Sequence, residues 1–240
     1  EPDSLNALSI SLKQSLIHAL LQVANDRDIK IVVLSGKGKA FCAGGDIKAF
    51  GVKKSATEIK RSMEDSIKII KTIQEMKKPV IAAVHGYAAG AGFSIALAAD
   101  LIIAEEGTKF GLAFKNVGLI PDLGGHYFLP KVFGYWKAKE LIWKGATITA
   151  EEAERYGFIN RITPKGQLYD MAQQWAEELA SGPTEAFAYS KSIMNQAYTS
   201  NLHQIFELEN HAQSILRGTI DHQEGVQAFL EKRSPRFIGE

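Results

Sequence analysis

Residues 84–100 constrain the fold of this chain more than any other segment. They begin at the end of the apolar run PVIAAV, continue through the glycine-rich HGYAAGAG, and contain no acidic or basic side chain between His85 and Asp100. A short apolar run that ends in glycine is typical of a buried strand, and the small apolar residues that follow predict a helix beginning near Ala91. The segment therefore predicts a strand, a loop with little side-chain cover, and a helix.

A second segment repeats this design. The β-branched run IKIVVLSG predicts a buried strand over residues 29–36, and CAGGD then leads into a helical turn. Gly44 and Gly45 in this loop, like Gly90 and Gly92 in the other, lie between a predicted strand and a predicted helix. Helix N-termini present free backbone N–H groups, glycine lets a ligand approach them, and two such groups from separate loops could form an oxyanion hole. The alternative is that the glycines only form turns and allow close helix packing.

The rest of the chain predicts an α/β protein whose C-terminal part is helical. Leucines at helical spacing predict a first helix with Ser4 as its N-cap, and Thr149 with Glu152 predicts a capping box. Strands alternate with helices in the first part of the chain, whereas helices dominate after Gln167. We divide the chain into a core over residues 1–165 and a helical region over residues 166–240.

Composition excludes several functional classes. The net charge is +1 and there is no arginine-rich stripe, so we expect no nucleic-acid partner. No apolar run reaches the roughly 18 residues that span a bilayer, so we expect no membrane segment. The single cysteine, Cys42, excludes an internal disulfide and a CxxC metal site and favours a reducing, cytoplasmic location. Its apolar neighbours favour a small buried residue over a nucleophile, and we expect a structural role for His85.

Four segments resemble the crotonase (enoyl-CoA hydratase/isomerase) superfamily, in order and over nearly the whole chain. They are KAFCAGGDIKAF, KPVIAAVHGYAAGAGFSIALAADLIIA, FGLAFKNVGLIPDLGG and DHQEGVQAFLEKRSPRF. The resemblance implies a spiral of ββα units, a helical C-terminal trimerisation region, and a homotrimer or hexamer. It also implies an acyl-CoA thioester as substrate, with no cofactor beyond the CoA moiety and no metal.

The resemblance also implies which residues hold the thioester. The backbone N–H groups of Gly45 and Ala91 would bind its carbonyl oxygen. Residues along the CoA moiety would be Ala43, Asp46, Ile47 and Lys48, joined by Phe229 and Lys232 from the C-terminal helix.

The chain departs from the hydratases of this family at two positions. Those enzymes use two glutamates, and the matching positions here are Ser94 and Phe114. A phenylalanine carries no proton, and a serine hydroxyl is too weak an acid or base without a partner. We therefore expect Ser94 to contribute little to the chemistry.

Asp122, in GLIPDLGGHYF, is the carboxylate that remains near the expected chemistry. The resemblance implies an aspartate here in members that isomerise double bonds. The alternative is that Asp122 caps the helix beginning near Gly125. Phe93, Ser94, Phe114 and His126 are candidate residues of the substrate pocket: Phe93 and Phe114 could form its walls, and His126 could contact the substrate.

These residues favour an enoyl-CoA isomerase that uses Asp122 to move a proton while an oxyanion hole holds the enolate. One alternative is an enoyl-CoA hydratase with a different acid/base, such as His126. Another is a CoA-binding member without catalytic activity.

Overall fold

The computed structural model describes residues 1–47, 51 and 53–239. The strands are β1 (Val32–Ser35), β2 (Val80–Val84), β3 (Tyr87–Ala89), β4 (Leu101–Glu105), β5 (Lys109–Gly111), β6 (Thr147–Thr149) and β7 (Arg161–Thr163). The α-helices are α1 (Ile10–Asn25), α2 (Ala56–Glu75), α3 (Ala91–Ala98), α4 (Gly125–Phe133), α5 (Tyr135–Lys144), α6 (Ala150–Arg155), α7 (Leu168–Ala180), α8 (Thr184–Gln196), α9 (Leu202–Leu216) and α10 (Ile220–Glu231). Short 3-10 helices lie at Pro2–Ser4 and Ala113–Val117.

The larger sheet is parallel, in the order β1-β2-β4-β7, and helices cover both of its faces. On β2, Val80, Ala82 and Val84 join the larger core, which also contains side chains of α1, α2 and α3. The alternate residues Ile81 and Ala83 face the other side and pack with side chains of α7. Burial on both faces explains why β2 is apolar throughout instead of alternating.

The smaller sheet leads the chain into the candidate site. β3 pairs with β5 in parallel, and β5 pairs with β6 in the antiparallel direction. An isolated parallel bridge joins Cys42 to Ala88 of β3, so the first glycine loop lies beside the strand that enters the second. The predicted starts of α3 at Ala91 and α4 at Gly125 are confirmed, as is the capping box of Thr149 and Glu152.

The predicted start of the first helix was wrong. α1 is capped by Ser9, whose hydroxyl accepts the N–H of Leu12, and Ser4 lies in a 3-10 helix. Leu5 and Asn6 have φ values of 54° and 55°, so no right-handed helix can run through them from Ser4 to Ser9. The buried Asn6 side chain donates to the carbonyls of Lys37 and Ala40, so this segment is held against the loop after β1.

The prediction of a fully buried first strand was also wrong. β1 alternates between half-buried and exposed residues, and Val33 is 38% exposed. The reason is that β1 lies at the edge of the sheet, where it pairs with β2 alone.

Among the residues described, the elements after β7 are helices. The first of them, α7, packs against the larger sheet. Leu168, Ala172 and Trp175 of α7 cover Ile81 and Ile103. The division at residues 165 and 166 stays a prediction.

Candidate active site

The two glycine loops lie in direct contact. The N–H of Cys42 donates to the carbonyl of Tyr87 at 3.1 Å, and the N–H of Ala89 donates to the carbonyl of Cys42 at 2.9 Å. Gly44 has φ +95°, and a Cβ on it would lie 2.6 Å from the carbonyl oxygen of Ala89 and 3.4 Å from the nitrogen of Ala91. Glycine is therefore required at this position by both conformation and space.

The second loop presents the N-terminus of α3 to this junction. Gly90, the N-cap, has φ 53° and offers no side-chain cap, so the first N–H groups of the helix have no side-chain acceptor there. A Cβ on Gly92 would lie 2.3 Å from the carbonyl oxygen of Cys42, which shows how closely the helix approaches the first loop. Gly45 and Ala91 therefore belong to touching loops, and the convergence of their N–H groups on one oxygen stays a prediction.

Cys42 lies at the junction of the loops, but its thiol is unsuited to nucleophilic attack. The side chain is 5% exposed, and Sγ accepts the N–H of Gly44 at 3.4 Å. Burial raises the pKa of the thiol to about 11, so the thiolate is scarce at neutral pH. The Nε2–H of His85 donates to the carbonyl of Gly38 at 2.9 Å. Both residues contact backbone groups of the loops, as expected for structural roles.

Asp122 lies between the 3-10 helix at Ala113–Val117 and α4. Asp122 is half-buried, and its Oδ1 atom is buried without a hydrogen-bond partner among the described residues. Burial raises the pKa of the carboxyl group above its ordinary value, and a hydrogen bond from its own backbone opposes that effect. Asp122 does not cap α4, because the N-cap is Gly124 and no side chain caps the helix. An acceptor buried without a partner is costly and calls for an explanation, and a catalytic role is one such explanation.

Ser94 is bound to the same loop. Its hydroxyl donates to the backbone carbonyl of Asp122 at 2.8 Å, and the side chain is 3% exposed. Ser94 lies on α3 one turn after Ala91, so this bond joins the helix that carries Ala91 to the loop that carries Asp122. Sequence reasoning missed this link, since nothing in the local pattern pairs positions 94 and 122.

The three other predicted pocket residues have different environments. The ring of Phe114 is half-buried and would lie 3.5 Å from a Cβ on Gly90, so it covers the second glycine loop. Phe93 is 1% exposed and packs against Phe110 and Phe158, with ring centroids 5.1 and 5.6 Å away. We therefore assign Phe93 to the core and not to the pocket wall. His126 is exposed in the first turn of α4.

The residues predicted to bind CoA divide into two groups. Ala43 and Asp46 are half-buried around Gly45, Ile47 is 67% exposed, and Lys48 lies outside the described residues. The N–H of Ala43 donates to the carbonyl of Leu5, which supports the loop from the N-terminal side.

The second group lies elsewhere in the single chain. Phe229 is 83% exposed on a cleft of about 480 Å³ formed by α8, α9, α10 and Phe237. Lys232 follows as the C-cap of α10. The described contacts therefore do not bring these two residues to the glycine loops.

Residues 1–47, 51 and 53–239 contain no group of three or more His, Cys, Asp or Glu side chains placed to hold a metal ion. In the same part of the chain, no helix has the length and apolar character needed to cross a membrane.

Comparison with known proteins places this geometry in a family. Residues 1–240 match the family model described as enoyl-CoA hydratase/isomerase. A 1,2-epoxyphenylacetyl-CoA isomerase of Escherichia coli (strain K12) is 38% identical, over 99% of this chain and 92% of that protein. A crotonyl-CoA hydratase of Syntrophomonas wolfei is 33% identical, over 99% of this chain and 91% of that protein.

A solved structure shows the same fold. The enoyl-CoA hydratase from Bacillus anthracis superposes with a TM-score of 0.94 at 33% identity, over 100% of this chain and 93% of that chain. This match confirms the predicted crotonase-like α/β fold. The sequence and structure matches extend over both glycine loops and the Asp122 loop, and the chain belongs to the enoyl-CoA hydratase/isomerase family.

Proposed function

We propose that this protein is an enoyl-CoA isomerase in which Asp122 moves a proton between two carbons of the acyl chain. The observation that carries the proposal is the buried Oδ1 atom of Asp122, which has no hydrogen-bond partner among the residues that the structure describes. A carboxylate in such surroundings has a raised pKa, which suits a group that must take up a proton and release it again.

The reaction begins with the thioester carbonyl bound by the N–H groups of Gly45 and Ala91. The Asp122 carboxylate removes a proton from C2, and the electrons of the broken C–H bond move into the dienolate, whose oxygen the two N–H groups stabilise. The carboxylic acid then returns the proton at C4, and the double bond moves from C3–C4 to C2–C3. One carboxyl group completes the cycle and is regenerated as the carboxylate.

The side chains around this path support isomerisation over addition of water. Phe114 covers Gly90 with an apolar ring, and Ser94 uses its hydroxyl on a backbone carbonyl. Neither can supply the second acid/base that hydration needs. The E. coli relative at 38% identity is named as an isomerase of an acyl-CoA epoxide, which supports isomerisation of an acyl-CoA in general.

The CoA moiety is assigned to Ala43, Asp46, Ile47 and Lys48. Phe229 and Lys232 would join them only through a movement of α10 or through a neighbouring subunit, because in the single chain Phe229 lies on a cleft formed by other helices.

Hydration is the second candidate function. The relative named crotonyl-CoA hydratase, at 33% identity, favours it. In this case His126, exposed in the first turn of α4, would be the side chain to test as the acid/base.

A paired assay separates the two functions. The wild-type protein is given crotonyl-CoA to measure hydration and a 3-enoyl-CoA to measure isomerisation. We expect isomerisation to dominate and Asp122→Asn to reduce it about 10²- to 10⁴-fold, the usual contribution of a positioned acid/base. Binding of the acyl-CoA should change little, because the carboxylate does not hold the CoA moiety.

The control is Asp28→Asn, which makes the same chemical change at an exposed residue. Rapid hydration of crotonyl-CoA by the wild type would favour the hydratase assignment. Isomerisation that survives in Asp122→Asn would remove Asp122 from the mechanism. A protein that binds acyl-CoA and shows neither activity would be the non-catalytic member of the family.

A further inference from the structure

We infer that Ser94 is a positioning residue, which fixes the Asp122 carboxyl group relative to the N–H of Ala91. The inference rests on the proposed function, because it concerns the group that would move the proton. It reverses the sequence-based expectation that Ser94 contributes little.

The contact itself is specific. The Ser94 hydroxyl donates to the carbonyl of Asp122 at 2.8 Å, and the N–H of Gly125 donates to the same oxygen at 2.9 Å. One donor comes from α3 and the other from the first residue of α4. The peptide that follows Asp122 is therefore held from two helices at once.

The backbone around this peptide explains why its orientation controls the carboxyl group. Leu123 and Gly124 have φ values of 48° and 85°, so the chain reverses sharply directly after Asp122. The Leu123 side chain, which lies within this reversal, is 4% exposed and is packed in the core. Asp122 is the residue directly before the reversal, and the bond from Ser94 to its carbonyl is a restraint that α3 supplies there.

The space around the hydroxyl is closely filled. A Cβ on Gly125 would lie 3.3 Å from the Ser94 Oγ and 2.8 Å from Cβ of Pro121. The hydroxyl therefore fits between α3 and the loop with little room for another polar group.

α3 consequently supports two parts of the reaction. Its first residue, Ala91, carries the proposed oxyanion donor, and Ser94 lies one turn later and holds the proposed acid/base loop. Reacting groups must be held in a narrow range of distances, and a displacement of about 1 Å can cost about 10²-fold in rate. Ser94 sets this distance through its bond to the Asp122 carbonyl.

The test compares Ser94→Ala with Ser66→Ala. Ser66 is a matched control, because it is 6% exposed and its hydroxyl donates to the carbonyl of Ser62 at 3.1 Å, within α2. We expect Ser94→Ala to lower kcat for isomerisation about 10- to 100-fold with KM unchanged. Ser66→Ala should leave both constants unchanged.

A second measurement does not depend on activity. Proteins labelled with ¹³C at aspartate carboxyl carbons are titrated by NMR, and Asp122→Asn identifies the Asp122 resonance. We expect the Asp122 titration midpoint in Ser94→Ala to move toward the ordinary aspartate value, because the loosened loop exposes the carboxyl group to water. Ser66→Ala should leave the midpoint in place.

The outcomes are distinguishable. If Ser94→Ala keeps both its kcat and the Asp122 midpoint, Ser94 is structural only and the inference is overturned. If the wild type does not isomerise, the proposed function fails, and the midpoint then decides the inference alone. A midpoint that moves in Ser94→Ala but not in Ser66→Ala supports the positioning role, and an unmoved midpoint refutes it.

Discussion

Asp122 meets two opposing demands at the level of the single residue. Burial raises the pKa of its carboxyl group, which favours proton uptake from a weak carbon acid. The same burial makes the ionised form costly, since no described residue offers Oδ1 a hydrogen bond in place of water. Both the activity and the free energy of unfolding should therefore depend on pH.

We expect isomerisation to lose activity in acid at a pH above the ordinary pKa of aspartate. The base is active as the carboxylate, and burial raises its pKa, so activity should rise with pH through this raised value. The measurement is kcat/KM for a 3-enoyl-CoA between pH 4 and 8. An acid limb at or below the ordinary value would show that a solvated carboxylate, or another group, is the base.

We also expect Asp122→Asn to increase the free energy of unfolding at neutral pH. The folded-state pKa of Asp122 lies above its unfolded value, so the ionised group destabilises the native state at pH values above the folded pKa. This penalty disappears as the pH falls below the unfolded value. Urea denaturation at pH 7 and at low pH measures the difference, with Asp28→Asn as control. Equal stabilisation at both pH values would contradict the burial explanation.

The sequence alone indicates Asp122 but not its partner. Asp122 could be predicted because it lies in a recognisable segment from which the usual glutamates are missing. The bond from Ser94 to its carbonyl joins positions 28 residues apart through tertiary packing. A side chain that acts on a distant backbone group has no local pattern, and so Ser94 was interpreted as inert.

At the level of elements, a buried ion pair joins α8 to the sheet. The Lys191 ammonium donates to Asp100 at 2.7 Å and to the carbonyls of Ile73 and Lys78 at 2.7 and 3.0 Å. The Asp100 carboxylate also accepts the N–H of Val80, the first residue of β2. Burial lowers the pKa of Lys191 and raises that of Asp100, and their mutual attraction opposes both shifts.

We expect Lys191→Met to reduce the free energy of unfolding by about 3–5 kcal/mol, because it leaves the Asp100 carboxylate buried without its cation. The double variant Lys191→Met/Asp100→Asn should recover part of this loss, since no buried charge then remains. Lys60→Met removes the cation of an exposed ion pair whose nitrogen and oxygen lie 3.9 Å apart. It should reduce the free energy of unfolding by less than about 1 kcal/mol. Chemical denaturation measures all three variants. A double variant no more stable than Lys191→Met would contradict the explanation.

Helix starts could be predicted from the sequence where the signal lies within a few residues, as in a capping box. The capping box of Thr149 and Glu152 was confirmed, and the same pattern at Ser55 with Glu58 was overlooked although it begins α2. The start of α1 was misplaced, since leucine spacing continues toward Leu5, whereas Leu5 and Asn6 have positive φ values and the Asn6 side chain is bonded to a distant loop.

For the whole molecule, the C-terminal helices present apolar side chains that the single chain leaves uncovered. Leu202 and Phe206, one turn apart on α9, are 67% and 49% exposed. Leu230 on α10 is 69% exposed. Large apolar side chains exposed in this way make these helices candidates for an interaction surface.

We expect the protein to sediment as a trimer or hexamer at micromolar concentration, with these helices packed between subunits. Phe206→Glu should shift the distribution toward monomer, because it places a charge in an apolar contact. Glu207→Gln, a neutral change next to it, serves as control. Sedimentation velocity makes the comparison, and a monomeric wild type would refute the predicted assembly.

The alternation of strands and helices was sufficient to predict the α/β class, because each parallel crossover needs a helix. The order of the sheet was not predictable in this way. β7 pairs with β4 although β5 and β6 lie between them in the chain and belong to the smaller sheet. The pairing of β7 with β4 is determined by tertiary packing and not by the sequences of the two strands.

That pairing also determines when the fold can be completed during synthesis. β1, β2 and β4 can associate once the chain has reached Glu105. The other edge of β4 stays unpaired until β7 is made, because Arg161 of β7 is the partner of Ile103. An unpaired strand edge is a template for association with other chains, and such distant pairing forms slowly. We therefore expect fragments that end between these two strands to aggregate, whereas chains that extend through α7 acquire both the missing strand and the helix that covers it.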